Sequence, residues 1–354
     1  MNLKQVKNEM IFFLKLTSIG RKIRKHRNRH KPYSIENAIE ICTQFGKIAD
    51  PKLLADMMEM AQKYSFDFYE YFLLDFQALD LKSRLEFVSD IERIEFCDAC
   101  NSPLNQAIFE DKEKTYIKFK EYFCRDVCCV RNEYQIAALK KLFNKHGKLI
   151  IKPILGSGGR GIKIIDKSFN INDLIIEYCT KGDGLIAEEL LRQHHLMERY
   201  HKESVNTVRV PTINYGDHVE LIHPFFRVGQ GNSVVDNASS GGIIIAIDPT
   251  TGHALSKGSD EHGKQYERIP GTDIIIEDIQ LPQWGEVISL CCMLANTIPS
   301  NRYTGWDLAL DESGQWVLIE ANARGQFLWQ YSTHKGFREE ANSILEKLNI
   351  KYVL

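Results

Sequence analysis

The stretch Lys148-Leu-Ile-Ile-Lys-Pro-Ile-Leu-Gly-Ser-Gly-Gly-Arg-Gly-Ile-Lys-Ile-Ile165 decides how this chain is read. Two short β-rich runs, Leu149-Ile150-Ile151 and Ile162-Lys163-Ile164-Ile165, flank a loop carrying Gly156, Gly158, Gly159 and Gly161, the composition of a hairpin with a mobile tip. Glycine lets backbone N–H groups approach anionic oxygens closely, and Lys152, at the end of the first strand, adds a point charge beside them. A phosphate lid and a plain Gly-rich turn with a surface lysine both satisfy this stretch taken alone.

Around the hairpin, strands and helices alternate. Arg125 to Val130 is apolar, Glu133 to His146 and Asp173 to Lys181 have helical spacing, and Leu185-Ile-Ala-Glu188-Glu189-Leu190-Leu191 follows. Val205 to Ile213, Val219 to Val228 and Gly242 to Asp248 are strand-like runs separated by turns, as expected of an antiparallel meander. Leu281 to Thr297 and about Lys335 to Asn349 read as helices. The class is α+β.

Upstream, residues 34 to 96 read mostly helical. Ser34 is placed to cap one helix with Asn37 three residues on, and Asp50-Pro51 to start another. The aromatic run Phe66 to Phe76 reads as core, and Asn105 to Phe119 as a linker into a further helix. Arg21, Lys22, Arg24, Lys25, Arg27, Arg29 and Lys31 form a basic arm, either a solvated segment or an attachment to an anionic membrane surface helped by Phe12 and Phe13.

The chain has 354 residues, 44% of them hydrophobic and 26% charged, with a formal net charge of −2, which excludes general nucleic-acid binding. Met10 to Leu14 is too short for a signal or a membrane span, so a cytoplasmic location, peripheral at the inner membrane face if the arm attaches, is expected. Nine cysteines suit reduced thiols. Cys97-Asp-Ala-Cys100 lacks the second pair that a zinc ribbon needs.

The far end of the chain supplies the partner for the hairpin. Gly305-Trp-Asp307 and Val317-Leu-Ile-Glu320-Ala-Asn322 read as two strands joined by the turn Asp311 to Gly314, with Glu320 and Asn322 on one side and Asp307 returned towards them. Two carboxylates and an amide suit Mg²⁺ held against a nucleotide.

Taken together, Asp111-Lys112, Ile151-Lys152-Pro153 with its glycine loop, Ala187-Glu188-Glu189-Leu190, and Asp307 with Glu320-Ala-Asn322 resemble the ATP-grasp superfamily in sequence and spacing. Ser204-Val-Asn-Thr-Val-Arg209-Val and Asp236-Asn-Ala-Ser-Ser-Gly-Gly242 are similar to the branch of sugar-transfer-associated ATP-grasp proteins, with likeness to D-alanyl-D-alanine ligases and ribosomal-protein glutamate ligases. The absence of an N-terminal Rossmann-like domain is a departure.

The resemblance implies an ATP-grasp fold, two α+β subdomains clamping ATP behind an N-terminal helical module: residues 1–104 the module with its basic arm, 105–190 the lid subdomain, 191–354 the subdomain with the metal site. It implies that Lys112 and Lys152 bind phosphates and that Gly156, Ser157, Gly158, Gly159 and Gly161 close over them, poorly ordered without nucleotide. Glu188, Glu189 and Leu190 would form the adenine hinge. Asp307, Glu320 and Asn322 would hold one or two Mg²⁺ ions, with Mn²⁺ as an alternative. Arg209 would touch the γ-phosphate, and Arg227 and Arg324 would fix a carboxylate or acyl phosphate.

The implied activity is ATP-dependent ligation of a carboxylate to an amine, the substrates connected to surface polysaccharide. The alternatives are an ATP-grasp kinase acting on a small acid or hydroxyl, and a non-enzymatic nucleotide-binding scaffold at a membrane surface.

Overall fold

The computed structural model describes residues 33–156, 159–180, 182–231 and 241–354. The basic arm, Ser157, Gly158 and most of the Gly229 to Gly242 loop lie outside the described residues.

Both expected helix starts are present. Helix α1, Ile35–Gln44, begins at Ser34, whose hydroxyl accepts the Asn37 N–H at 3.2 Å. Helix α2, Pro51–Tyr64, begins at Asp50, whose carboxylate accepts the N–H groups of Lys52 and Leu53 at 2.9 and 3.0 Å, with Pro51 in the position where its missing N–H is harmless. Met57, Phe66, Tyr71 and Phe76 pack together as the core of this module. Helix α3, Asp90–Cys100, opens with a capping box between Ser89 and Glu92.

Cys97 and Cys100 sit on the buried face of α3 among Phe96, Phe225, Tyr303 and Phe327. Burial pushes the Cys97 thiol up to about 12 and the Cys100 thiol well above its ordinary value, so both stay protonated. They are core thiols.

The segment expected as a linker is helical instead: Pro103–Phe109 is one helix and α4, Lys112–Phe123, the next. Two caps explain it, Ser102 before Pro103 and Asp111 before Lys112, each side chain accepting backbone N–H groups of the first turn.

A four-stranded antiparallel sheet follows, of β1 (Val127–Val130), β2 (Leu149–Pro153), β3 (Lys163–Ile165) and β4 (Leu185–Glu189), in the order β1-β4-β2-β3. The opening stretch is indeed a hairpin, with Leu149 opposite Ile165 and Ile151 opposite Lys163. Helix α5, Ile136–His146, covers one face, where Leu139 and Leu142 meet Leu149, Ile151, Leu185 and Ala187.

The second sheet is antiparallel with eight strands: β5 (Thr207–Asn214), β6 (Val219–Leu221), β7 (Phe225–Val228), β8 (Ile243–Ala246), β9 (Gly258–Ser259), β10 (Gln265–Tyr266), β11 (Tyr303–Leu310) and β12 (Trp316–Asn322). Its order is β10-β9-β8-β7-β5-β11-β12, with β6 on β5. The run Val219 to Val228, expected as one strand, is split where His223 takes φ 44° ahead of Pro224.

One face of this sheet carries Val208, Val210, Phe226, Trp306 and Leu308 against Val287 and Leu294 of α6, Trp284–Thr297. The other face is apolar only at one end, where Ile213, Phe225 and Tyr303 meet Phe96, Trp329 and the buried residues of α7, Arg338–Lys347. Asn101 joins the module to β11 and to the residue that follows β12: its amide donates to the carbonyls of Tyr303 and Ala323 at 2.8 and 2.9 Å and accepts the Tyr303 N–H at 2.9 Å. Among the described residues no helix is long and apolar enough to cross a membrane.

Candidate functional site

The remaining end of the second face is polar, and strand register explains why. Thr207 lies opposite Arg227, Arg209 opposite Asp307, and Asp307 opposite Glu320, so these side chains stand on one side of three adjoining strand pairs. Between Asp307 and Leu308 the β11–β12 register shifts by one residue. This bulge turns both Ile319 and Glu320 to the cavity while Leu318 and Ala321 reach the opposite, apolar face. Gly305 makes room for the Arg209 side chain, since a Cβ there would stand 3.0 Å from Arg209 Cδ.

Asp307 is 2% exposed and held by two arginines: Arg209 Nε bonds Oδ1, Arg209 Nη2 lies 2.7 Å from Oδ2, and Arg227 Nη2 lies 3.1 Å from Oδ2. Burial alone would raise the Asp307 pKa, but the two guanidiniums outweigh it and hold it below the ordinary value. Arg227 also donates to Thr207 Oγ1 at 3.0 and 2.7 Å.

The four-stranded sheet supplies the facing wall. Glu188, 2% exposed, pairs with Lys152 Nζ at 2.6 Å and with the Arg125 guanidinium. Burial favours the neutral acid, yet Lys152 and Arg125 prevail and bring its pKa to about 2. Lys112 spans the two walls, Nζ lying 2.6 Å from the Gly156 carbonyl and 3.7 Å from Glu320 Oε1.

These walls enclose a cavity of about 670 Å³. Lys112, Lys152, Gly156, Gly159, Glu188, Glu189, Leu190, Arg227, Asp307 and Glu320, all singled out in the sequence, line it. Arg209 stands behind Asp307, and Gly161 accepts a hydrogen bond from Tyr178 at 2.7 Å beneath the hairpin. Asn322 lies two residues along β12 from Glu320 and is not part of the cavity lining; its amide nitrogen is buried and has no partner among the described residues. Turned about its last torsion, that amide would offer its oxygen instead. Two carboxylates and this open amide are a donor set of the hard, oxygen kind that fits Mg²⁺.

Arg324 is not brought to the cavity. Its guanidinium bonds Asp98 Oδ1 at 2.7 Å, Gln106 Oε1 at 2.7 Å and Glu110 Oε1, fastening the strand to the helices before it. Among the described residues the one group of three His, Cys, Asp or Glu side chains close enough to share an ion is Asp126, His146 and Glu189, where Lys145 already sits 2.5 Å from Asp126; no cysteine belongs to it. Sequence reading missed Arg125, Thr207, Ser204 and Ile319 as cavity residues. Thr207 lies inside a motif that was recognised and Ser204 opens it, Arg125 begins the apolar run that ends at Val130, and the bulge at Ile319 leaves no local signal.

Among solved structures, the chain is similar to the ATP-grasp ligase PsnB complexed with minimal precursor, at 16% identity over 70% of this chain and 63% of that one, with a TM-score of 0.42. It is similar to the ADP complex of purK, N5-carboxyaminoimidazole ribonucleotide synthetase, at 10% identity over 71% and 54% of the two chains, TM-score 0.45. It is also similar to D-alanyl-alanine synthetase A from Vibrio cholerae O1 biovar eltor, at 12% identity over 70% and 67%, TM-score 0.43. No curated protein matches the chain. The family profile described as sugar-transfer associated ATP-grasp matches residues 92–346, which takes in both sheets and the whole cavity wall, and the chain belongs to that family.

Proposed function

We propose that this protein is an ADP-forming carboxylate–amine ligase that works through an acyl phosphate. One observation carries the reading: one cavity gathers the cations Lys112, Lys152 and Arg227 with the carboxylates Asp307 and Glu320, and Gly156 and Gly159 of the glycine hairpin line it too. Cations facing an oxygen-donor metal set are what transfer of a phosphoryl group requires, because the charge developing on phosphate must be neutralised in place.

Lys112 and Lys152 bind the nucleotide phosphates, Lys152 exchanging its Glu188 partner for them. Glu188, Glu189 and Leu190 lie where β4 leaves the sheet and read the adenine. Asp307, Glu320 and Asn322 would hold Mg²⁺, which supplies charge neutralisation at the phosphates. Arg209 keeps the Asp307 carboxylate in position. Arg227, braced by Thr207, pairs with the substrate carboxylate and then with its acyl phosphate, so that no covalent enzyme intermediate is needed. The substrates we propose are an amino acid and a uronic acid or amino sugar destined for surface polysaccharide.

The test is ADP and phosphate release across a matrix of amino acids, uronic acids and amino sugars, with mass spectrometry of the products. An amide formed together with ADP is expected. A phosphorylated product that needs no amine would refute the ligase reading in favour of a kinase.

A further inference from the structure

Ser204, on the cavity wall, and His201 behind it form a polar pair to which the phosphate and metal chemistry gives no part. Ser204 is 3% exposed and lines the cavity. Its Oγ lies 2.7 Å from His201 Nδ1 and its backbone N–H lies 3.2 Å from the same nitrogen. His201 Nε2 lies 2.9 Å from the Gly231 carbonyl oxygen. A carbonyl only accepts, so Nε2 carries the hydrogen, and Nδ1 is left as the acceptor that the Ser204 N–H also faces. The serine hydroxyl therefore donates to the Nδ1 lone pair, which the Ser204 N–H approaches at the longer distance.

The surroundings hold this pair in register. The Asn206 side chain, fully buried, donates to the carbonyls of His201 and Met197 at 2.8 and 3.0 Å. Gln193 donates to the carbonyls of His201 and Ser204 at 2.9 and 2.7 Å. Gly229 closes over the pair so tightly that a Cβ there would collide with Ser204 Oγ and stand 2.7 Å from His201 Nδ1. The neighbouring Glu203, also on the cavity wall, offers a charge that attracts an ammonium group.

We infer that Ser204 and His201 are the proton relay for the incoming amine, a role that rests on the ligase reading. The ammonium ion first gives one proton to water, and its nitrogen then attacks the acyl phosphate carbon: a C–N bond forms and the carbonyl electron pair moves to oxygen. One proton on that nitrogen passes to Ser204 Oγ as the Oγ proton passes to His201 Nδ1. The oxygen pair then returns, the C–O bond to phosphate breaks, inorganic phosphate leaves, and the imidazolium releases its proton to water. The relay acts only after the acyl phosphate has formed.

Hydroxylamine separates the two stages, because it is neutral and strongly nucleophilic near neutral pH and traps an acyl phosphate without a base. Wild type, Ser204→Ala and His201→Gln are each given Mg-ATP with a pool of proteinogenic amino acids and D-glucuronic acid, once with hydroxylamine and once with glucosamine as the added amine, and hydroxamates and amides are counted by mass spectrometry. Both variants are expected to form hydroxamate at the wild-type rate and amide at least ~100-fold more slowly. Amide formation within about threefold of wild type would overturn the relay, as would parallel loss of hydroxamate and amide. Absence of hydroxamate from the wild type itself would overturn the ligase reading, and the relay with it.

Discussion

Replacing Glu188 with glutamine tests the charge arrangement of the cavity without a ligand. The change keeps the side chain's shape but leaves two cations, Lys152 at 2.6 Å and the Arg125 guanidinium, with side chains only 12% and 4% exposed. Their charges hold the Glu188 pKa at about 2 against an ordinary 4.5. At about 1.4 kcal/mol per pH unit, the carboxylate contributes about 3 kcal/mol to stability at neutral pH. Removing one partner of a buried ion pair costs about 3–5 kcal/mol in general, so the two lines of reasoning agree.

The sign follows from the direction of the shift. A folded-state pKa below the unfolded value means that the stabilisation is fully present above about 4.5 and is lost as pH falls towards about 2. Urea unfolding followed by tryptophan fluorescence, on wild type and Glu188→Gln in parallel, should show a gap of about 3 kcal/mol that is level between about pH 7 and pH 5 and closes in more acid solution. The depressed Asp307 is common to both proteins and cancels. A variant within about 1 kcal/mol of wild type at neutral pH, or a gap that does not narrow in acid, would refute the reasoning.

Two further outcomes are expected. Glu320→Ala combined with Asn322→Ala should weaken ADP binding about tenfold or more in the presence of Mg²⁺ and leave Mg²⁺-free ADP binding within about twofold, by calorimetry; equal losses in both conditions would show that neither residue holds the cation. Arg324→Ala should lower stability by about 2 kcal/mol, through stranding Asp98 and Glu110, while ADP affinity stays unchanged; a selective loss of ADP affinity would return Arg324 to the site.

What could be read from the sequence divides by the range of the interactions concerned. Ser34, Asp50-Pro51 and the Leu149 to Ile165 hairpin were legible because a cap or a turn is settled within a few residues. Asp307 and Glu320 were legible because one tight turn returns their strands to each other. The stretch Asn105 to Phe119, expected as a linker, is helical because Ser102 and Asp111 each cap the first turn of a helix. The partners of Arg324 could not be read at all, since Asp98 and Glu110 lie more than two hundred residues earlier and only the packing of the helical module on β12 brings them near. Nor could the clamp on Asp307, which depends on β5 standing beside β11 and β7 beside β5 in the sheet.

The register shift at Asp307 and Leu308 has a bearing on how this hairpin tolerates change over time. Because β12 holds one residue more than regular pairing needs, single substitutions along it disturb one side chain each. Removal of Ile319 would restore regular alternation with Leu318 still in the apolar layer and Glu320 still at the cavity, taking away only the bulged side chain. The bulge is thus the one place on β12 where a change of length by one residue leaves both faces intact, whereas the same change between Glu320 and Asn322 would exchange them.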